Sequence, residues 1–349
     1  MADPALDALF LPFEQRLLSW PSAGALFLRA RPGVATTGGR WPGLLCEQTS
    51  APLHAALQRA GLETLPPADA GDQEPPLPER PLVLALPPRQ RDEARALLAR
   101  ALDAVAPGGW VVASVANDEG AKSAQADLAA LAGNVGALSK HKCRVFWAQR
   151  DARGDDALRA RWAALDASRP ILGGRFVSRP GVFAWDRIDP ASALLAEYLP
   201  ATLAGHGADL GAGYGFLSAE VLQRCPGVRA LDMIEAEGRA LALARRNLAG
   251  LRDDVALDFQ WRDVTAGLPR RYDFIVSNPP FHAHGREERP ELGRAFIAAA
   301  ADALALGGSL WLVANRHLPY EDVLAARFGQ VREVAAQGGF KIVHAGQAR

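Results

Sequence analysis

Two stretches of this chain run through the same series of segments. Leu82-Val83-Leu84-Ala85-Leu86-Pro87-Pro88-Arg89 and Phe274-Ile275-Val276-Ser277-Asn278-Pro279-Pro280-Phe281 each carry an apolar strand pattern into a Pro-Pro turn. A predicted helix follows in both, 92–105 and 291–305. Each helix reaches a glycine pair, Gly108-Gly109 or Gly307-Gly308, which reads as a left-handed helix stop. Each then meets another strand pattern, 110–115 or 310–314. Leu44–Glu47 pairs with Asp232–Glu235 in the same way, and Lys142–Phe146 with Lys341–His344. Strands that alternate with helices need crossover connections, so they pack as a parallel sheet covered by helices. Such a set repeated once predicts two tandem α/β domains. We place the first at 1–150, a charged, alanine-rich helical linker at 151–175, and the second at 176–349. Near the C-terminus, Gly338-Gly339 between two strand patterns predicts an antiparallel hairpin at a sheet edge.

Composition narrows the partners. The chain has 349 residues, 49% of them hydrophobic, which is ample for two cores. Its 39 Lys+Arg balance 39 Asp+Glu, so no global field draws it to nucleic acid or to a membrane surface. A polyanion site must therefore be a local patch. Lysine stands only at 122, 140, 142 and 341; arginine supplies the other cations. The most apolar stretch, 295–306, is short and contains Asp302, so it reads as a buried helix and no membrane partner is expected. Cys46, Cys143 and Cys225 are too far apart for a disulfide framework or a zinc spacing. The opening residues, Met1-Ala2-Asp3-Pro4, lack a basic and apolar leader pattern. The expected setting is a reducing cytoplasm, with no metal.

The two halves differ in their chemistry. Asp209-Leu210-Gly211-Ala212-Gly213-Tyr214-Gly215 lies between a predicted strand and a predicted helix. Glycines let the backbone turn sharply and admit a ligand where a Cβ would stand. The helix that follows offers free N–H groups. A dinucleotide fingerprint would place its third glycine at Phe216, so the loop departs from that pattern. Asp209 would repel a pyrophosphate, yet it can pair with the ammonium of a methionine group. Glu235 ends the next strand, where a carboxylate can accept from ribose hydroxyls. Asp263 ends the third, within reach of an adenine amino group. Asp232 rivals Glu235 but lies inside its strand. As an ordered set, Asp209, Gly211, Gly213, Gly215, Glu235 and Asp263 favour S-adenosylmethionine over a dinucleotide.

Asn278-Pro279-Pro280-Phe281 supplies the other half of the reaction. An amino group conjugated to a base or an amide is a poor nucleophile, because its lone pair is delocalised. The Asn278 Oδ1 and the Pro279 carbonyl can both accept from one NH2 and aim it at a methyl donor. Pro279 and Pro280 stiffen the loop, and Phe281 offers a face to a flipped base. Asn278 thus belongs to both the catalytic and the cofactor-binding sets. Catalysis is then mostly positioning, with a sulfonium leaving group. In the following loop, His282 and His284 are weak metal evidence, and Arg286, Arg289 and Arg294 are available for phosphate. Arg179-Pro180-Gly181-Val182-Phe183 is a candidate lid on the cofactor. The first half keeps none of this. Leu86 stands for Asn278, Arg89 for Phe281, and 24–33 lacks the glycine pattern.

These residues resemble the bacterial ribosomal RNA guanine-N2 methyltransferases, the RsmC and RlmG family, and most of all its small-subunit branch. The matching stretches are 180–183, 209–215, 277–282, Val313–Tyr320 and Gly338–Lys341. The C-terminal half matches throughout; the N-terminal half matches loosely, best over 108–150. The resemblance implies two Rossmann-like S-adenosylmethionine-dependent methyltransferase domains, the N-terminal one degenerate. It implies methylation of the exocyclic N2 of one guanine in 16S ribosomal RNA, within the 30S particle, by a monomer. Three readings stay open: the same chemistry on 23S RNA, methylation of a protein glutamine or of DNA adenine, and a non-catalytic ribosome-assembly protein.

Overall fold

The structure, a computed structural model, describes residues 3–66, 76–151, 154–280 and 290–349. They form two compact units, 1–169 with 179–181, and 170–178 with 182–349.

The first unit is built on seven strands: β1 (Ala25–Leu28), β2 (Leu44–Cys46), β3 (Glu63–Thr64), β4 (Arg80–Ala85), β5 (Val105–Ala116), β6 (Val135–Lys140) and β7 (Cys143–Gln149). Their order is β3-β2-β1-β4-β5-β7-β6. All neighbours are parallel except β5–β7 and β6–β7. The helices are α1 (Pro4–Leu9), α2 (Leu11–Glu14), α3 (Ala51–Arg59), α4 (Arg91–Ala104), α5 (Ala121–Ala132) and α6 (Asp156–Ala163). The expected linker is divided. Helix α6 packs on α4, with Trp162 buried and the Arg95 guanidinium 4.5 Å from its ring centroid, so residues up to 169 complete the first core.

The second unit repeats the plan. After a short ribbon of β8 (Arg169–Ile171) and β9 (Phe176–Ser178) come β10 (Ala204–Leu210), β11 (Gly227–Glu235), β12 (Ala256–Trp261), β13 (Tyr272–Ser277), β14 (Leu304–Asn315), β15 (Phe328–Gln337) and β16 (Phe340–Ala348). The order is β12-β11-β10-β13-β14-β16-β15, with β16 antiparallel to both neighbours. The helices are α7 (Pro190–Tyr198), α8 (Phe216–Arg224), α9 (Gly238–Leu248), α10 (Pro290–Ala303) and α11 (Glu321–Arg327). Successive strand residues feed opposite faces. Phe274, Val276, Trp311 and Val313 join α7–α9 in one core, while Ile275, Leu310, Leu312 and Ala314 join α10 and α11 in the other. A sheet buried on both faces explains why these strands read as continuous apolar runs.

The internal repeat holds at the level of burial. Strands β5 and β14 have the same length and the same pattern of buried and exposed positions, and each carries its glycine pair at the same place. Those pairs are not helix stops. Helices α4 and α10 end at Ala104 and Ala303, and the glycines already belong to the strands. A Cβ on Gly308 would stand 2.9 Å from the Tyr272 carbonyl oxygen, so the glycine permits the close approach of β13. Register also corrects two of the pairings. Leu28 pairs with Ala85 as Leu210 pairs with Ser277. Ala30 N donates to Glu47 O as Ala212 N donates to Ile234 O. Gln48, not Glu47, therefore stands where Glu235 does. Likewise Ala116 pairs with Cys143 and Asn315 with Phe340, so Arg144, not Lys142, matches Lys341.

Candidate active site

The strand order of the second unit reverses between β10 and β13. In such sheets the loops after the two central strands diverge to opposite faces and leave a crevice at their carboxyl ends. The glycine loop follows β10 and Asn278 follows β13. Buried Ser277 ties the two strand ends together, its Oγ donating to the Leu210 carbonyl at 2.8 Å. A cavity lies here, lined by Phe183, Asp189, Ser192, the backbone of 211–213, Tyr214, Phe216 and Asn278.

The glycine loop turns as its sequence requires. Gly211, Gly213 and Gly215 all take positive φ, at 76°, 56° and 92°. Gly213 has open space where a Cβ would project, and Gly211 only ordinary contacts, so both leave room for a ligand. Gly215 is the N-cap of α8. Two side chains hold it, one from α9 and one from the loop itself. Asn247 donates from Nδ2 to the carbonyls of Tyr214 (2.8 Å) and Val177 (2.9 Å). The Tyr214 hydroxyl donates to Arg187 O at 3.0 Å.

The three acids are placed differently. Glu235 accepts from Gly213 N through Oε2 and from Glu237 N through Oε1, each at 2.8 Å. Burial pushes its carboxyl up, and these backbone donors act against that shift. The carboxylate is thus fixed beside the loop, with a lone pair left on each oxygen. Asp263 caps a short turn, its Oδ1 accepting from Thr265 N at 2.9 Å and Thr265 Oγ1 at 2.7 Å. Asp232 is taken up elsewhere: it accepts from the Tyr272 hydroxyl (2.9 Å) and Gln260 (2.9 Å) and pairs with His206 (2.8 Å).

Asp209 does not line the cavity. It is fully buried beneath the loop, with Oδ2 accepting from Ser218 Oγ at 2.7 Å and Oδ1 without a hydrogen-bond partner. Burial pushes its carboxyl up to about 7, against the lowering effect of Ser218. A buried carboxyl with one oxygen unsatisfied under the crevice fits a cation bound there, which would favour its ionised form.

Asn278 is half-buried at the mouth of this arrangement. Its Nδ2 donates to Asp189 Oδ2 at 2.9 Å and Ser192 Oγ at 2.8 Å. A carboxylate can only accept, so Asp189 dictates which end of the amide faces it. The other end, Oδ1, is left to accept from a ligand. Asp189 holds its own place by capping α7, accepting from Ser192 N at 2.8 Å. Sequence reading missed both clamp residues; the only trace was an Asp-Pro helix start. Pro279 is buried and Pro280 exposed. Phe281, His282, His284, Arg286 and Arg289 lie outside the described residues. Arg294 donates from Nε to Pro319 O at 3.1 Å. Of the candidate lid, Phe183 lines the cavity at 61% exposure, while Arg179–Gly181 group with the first unit, where Arg179 forms a two-point ion pair with Asp166.

The equivalent place in the first unit lacks these features. Phe27 replaces Asp209, Gln48 replaces Glu235 and buried Leu86 replaces Asn278. Arg29 takes the position of Gly211 with φ 54° and forms an ion pair with buried Glu93.

Comparison with known proteins adds three findings. Residues 173–344 match the methyltransferase small domain family. The chain is similar to proteins named ribosomal RNA small subunit methyltransferase C. It is 32% identical to the one from Sodalis glossinidius, over 74% of this chain and 71% of that one. It is 35% identical to the one from Pseudomonas paraeruginosa, over 73% and 76%. Among solved structures it resembles the T. thermophilus 16S rRNA N2 G1207 methyltransferase in complex with AdoMet and guanosine. That likeness has a TM-score of 0.78 and 25% identity, and covers 99% of this chain and 92% of that one.

Proposed function

Because this chain belongs to the ribosomal RNA small subunit methyltransferase C family, we propose that it moves a methyl group from S-adenosylmethionine to the exocyclic N2 of a guanine in 16S ribosomal RNA. The observation that carries the reading is the fixed amide of Asn278, at the end of β13 beside an open glycine loop. When bound, the cofactor supplies an electrophilic methyl on a sulfonium. The chain supplies position. Asn278 Oδ1 and the Pro279 carbonyl accept from the guanine NH2 and aim it. Gly211 and Gly213 would admit the cofactor, Gly215 turns the loop into α8 against α9, and Glu235 would accept from the ribose, Asp263 from the adenine, with Asp209 offsetting the positive charge. Phe281 completes the guanine site. No strong general base is required, because the nitrogen loses its proton after its lone pair has been used.

The substrate is best met within the 30S particle. Net charge is zero and four lysines serve 349 residues, so strong binding to naked RNA lacks its usual driving force. A folded particle adds shape and protein contacts. We place the enzyme in the cytoplasm, as a monomer. Among the described residues no helix is long and apolar enough to cross a membrane.

The test is transfer of labelled methyl to purified 30S particles, 50S particles and naked ribosomal RNA. Label in 30S RNA is expected. Label confined to 50S would move the target to the large subunit, and none in any RNA would overturn the reading.

The Asn278 clamp has its own test. Asn caps helices as well as Asp, so Asp189→Asn keeps the α7 start but removes the acceptor-only constraint. The single-turnover rate should fall about 10–50-fold, with cofactor affinity and melting temperature nearly unchanged. An unchanged rate would leave Asp189 only its capping role.

A further inference from the structure

We propose that the Lys140-His141-Lys142 tip of the β6–β7 hairpin is a docking point for the phosphate backbone of the RNA substrate. The proposal rests on the ribosomal RNA reading above.

The internal repeat supplies the comparison. By sheet register, Lys140-His141-Lys142 occupies the place of Gln337-Gly338-Gly339 in the β15–β16 hairpin. Both hairpins turn with two consecutive residues in the left-handed region. In the second unit these are Gly338 and Gly339, at φ 59° and 86°. In the first they are His141 and Lys142, at 56° and 57°. A two-residue turn of this kind calls for glycine or asparagine, since an L side chain there brings its Cβ against the backbone. The second unit shows that this hairpin shape can be made with unstrained residues. Strain kept where the fold does not need it points to a use for the side chains.

Those side chains are free for use. Lys140, His141 and Lys142 are all exposed, and none has a hydrogen bond or ion pair from its side chain among the described residues. The main chain behind them is fixed, with Asn117 N donating to the Lys142 carbonyl at 2.8 Å. Residue choice adds a second argument. In a chain that otherwise relies on arginine, two of the four lysines stand at this tip. Lys122 adds a third cation on α5, which packs beneath the hairpin. Asp118 and Glu119 lie in the adjoining turn, and Glu119 is engaged by Arg89. A compact ammonium pair flanking an imidazole donor suits phosphate oxygens and carries no base preference. The tip would therefore strengthen binding without choosing the nucleotide.

The test gives the first hairpin the second one's logic: Lys140→Gln, His141→Asn and Lys142→Gly together. Asparagine and glycine suit the turn, so the variant should melt no lower than wild type. Its dissociation constant for purified 30S particles should rise about tenfold near 0.1 M salt. The slope of log affinity against log salt should become shallower by about two, with the rate at saturating particle within about twofold of wild type. Lys140→Glu alone, which leaves both turn residues in place, should shift affinity in the same direction. Unchanged affinity and slope in both variants would overturn the proposal. A loss of affinity with an unchanged slope would also overturn it, because it would mark contact with a protein face of the particle. Wild-type methyl transfer in the same assay separates these outcomes from failure of the functional reading itself.

Discussion

Asn278→Ala should lower methyl transfer to ribosomal RNA by about 10²–10³-fold while cofactor affinity stays within a few fold of wild type. The structure explains why the loss falls on the chemical step. The Asn278 amide is held by Asp189 and Ser192, so its free carbonyl end points one way before any guanine arrives. Alanine removes that acceptor and leaves the Pro279 carbonyl to orient the amino group alone. With one acceptor in place of two, the amino group and its lone pair are no longer held in line with the donor methyl. The cofactor cradle is built on β10 and β11 and loses little. Single-turnover transfer measured beside cofactor titration checks the prediction. A variant that still transfers at a tenth of the wild-type rate would show that the amide does not orient the nucleophile.

Asp209→Asn should separate stability from cofactor binding. Asp209 is buried, has one unsatisfied oxygen, and is pushed from an ordinary 3.8 up to about 7. The folded chain therefore holds this proton more tightly than the unfolded chain does. The stability it confers is complete below about pH 4, declines as pH rises through 7, and stays lost above that. The shift corresponds to roughly 2–4 kcal/mol at pH 8, allowing for relaxation around the charge. The neutral amide lacks this titration. Its melting temperature should fall less between pH 4 and 8 than that of wild type and exceed it at pH 8. Cofactor affinity should show the opposite order. In wild type it should rise from pH 6 to 8 as Asp209 ionises. In the variant it should be independent of Asp209 and about tenfold weaker at pH 8. Parallel pH slopes of stability in the two proteins would contradict the assignment.

Much of this was legible in the chain. The doubled α/β plan showed in the Pro-Pro turns and glycine pairs, because the turns mark where a strand ends and the glycines where two strands approach closely. The edge hairpin showed in Gly338-Gly339, and the glycine loop and Asn278 in their own spelling. What was missed depends on register and facing. Gln48, rather than Glu47, matches Glu235, and a one-residue shift in a parallel pairing leaves no trace in composition. Asp209 lies between Ala208 and Leu210, which face the α10 side, so strand alternation turns it toward α8, where it is buried beneath the loop and does not line the crevice. The Asp189–Ser192 clamp reaches Asn278 from a helix far away in sequence, and only the folded sheet brings the two together. The glycine pairs misled because a close strand approach and a helix stop both select glycine.

The most direct measurement is the chemical identity of the transferred methyl. Nuclease digestion of 16S RNA after reaction of 30S particles with labelled S-adenosylmethionine should yield label that co-elutes with N2-methylguanosine from the wild-type enzyme, and essentially none from Asn278→Ala. Label on any other nucleoside, or equal label from the variant, would contradict the account.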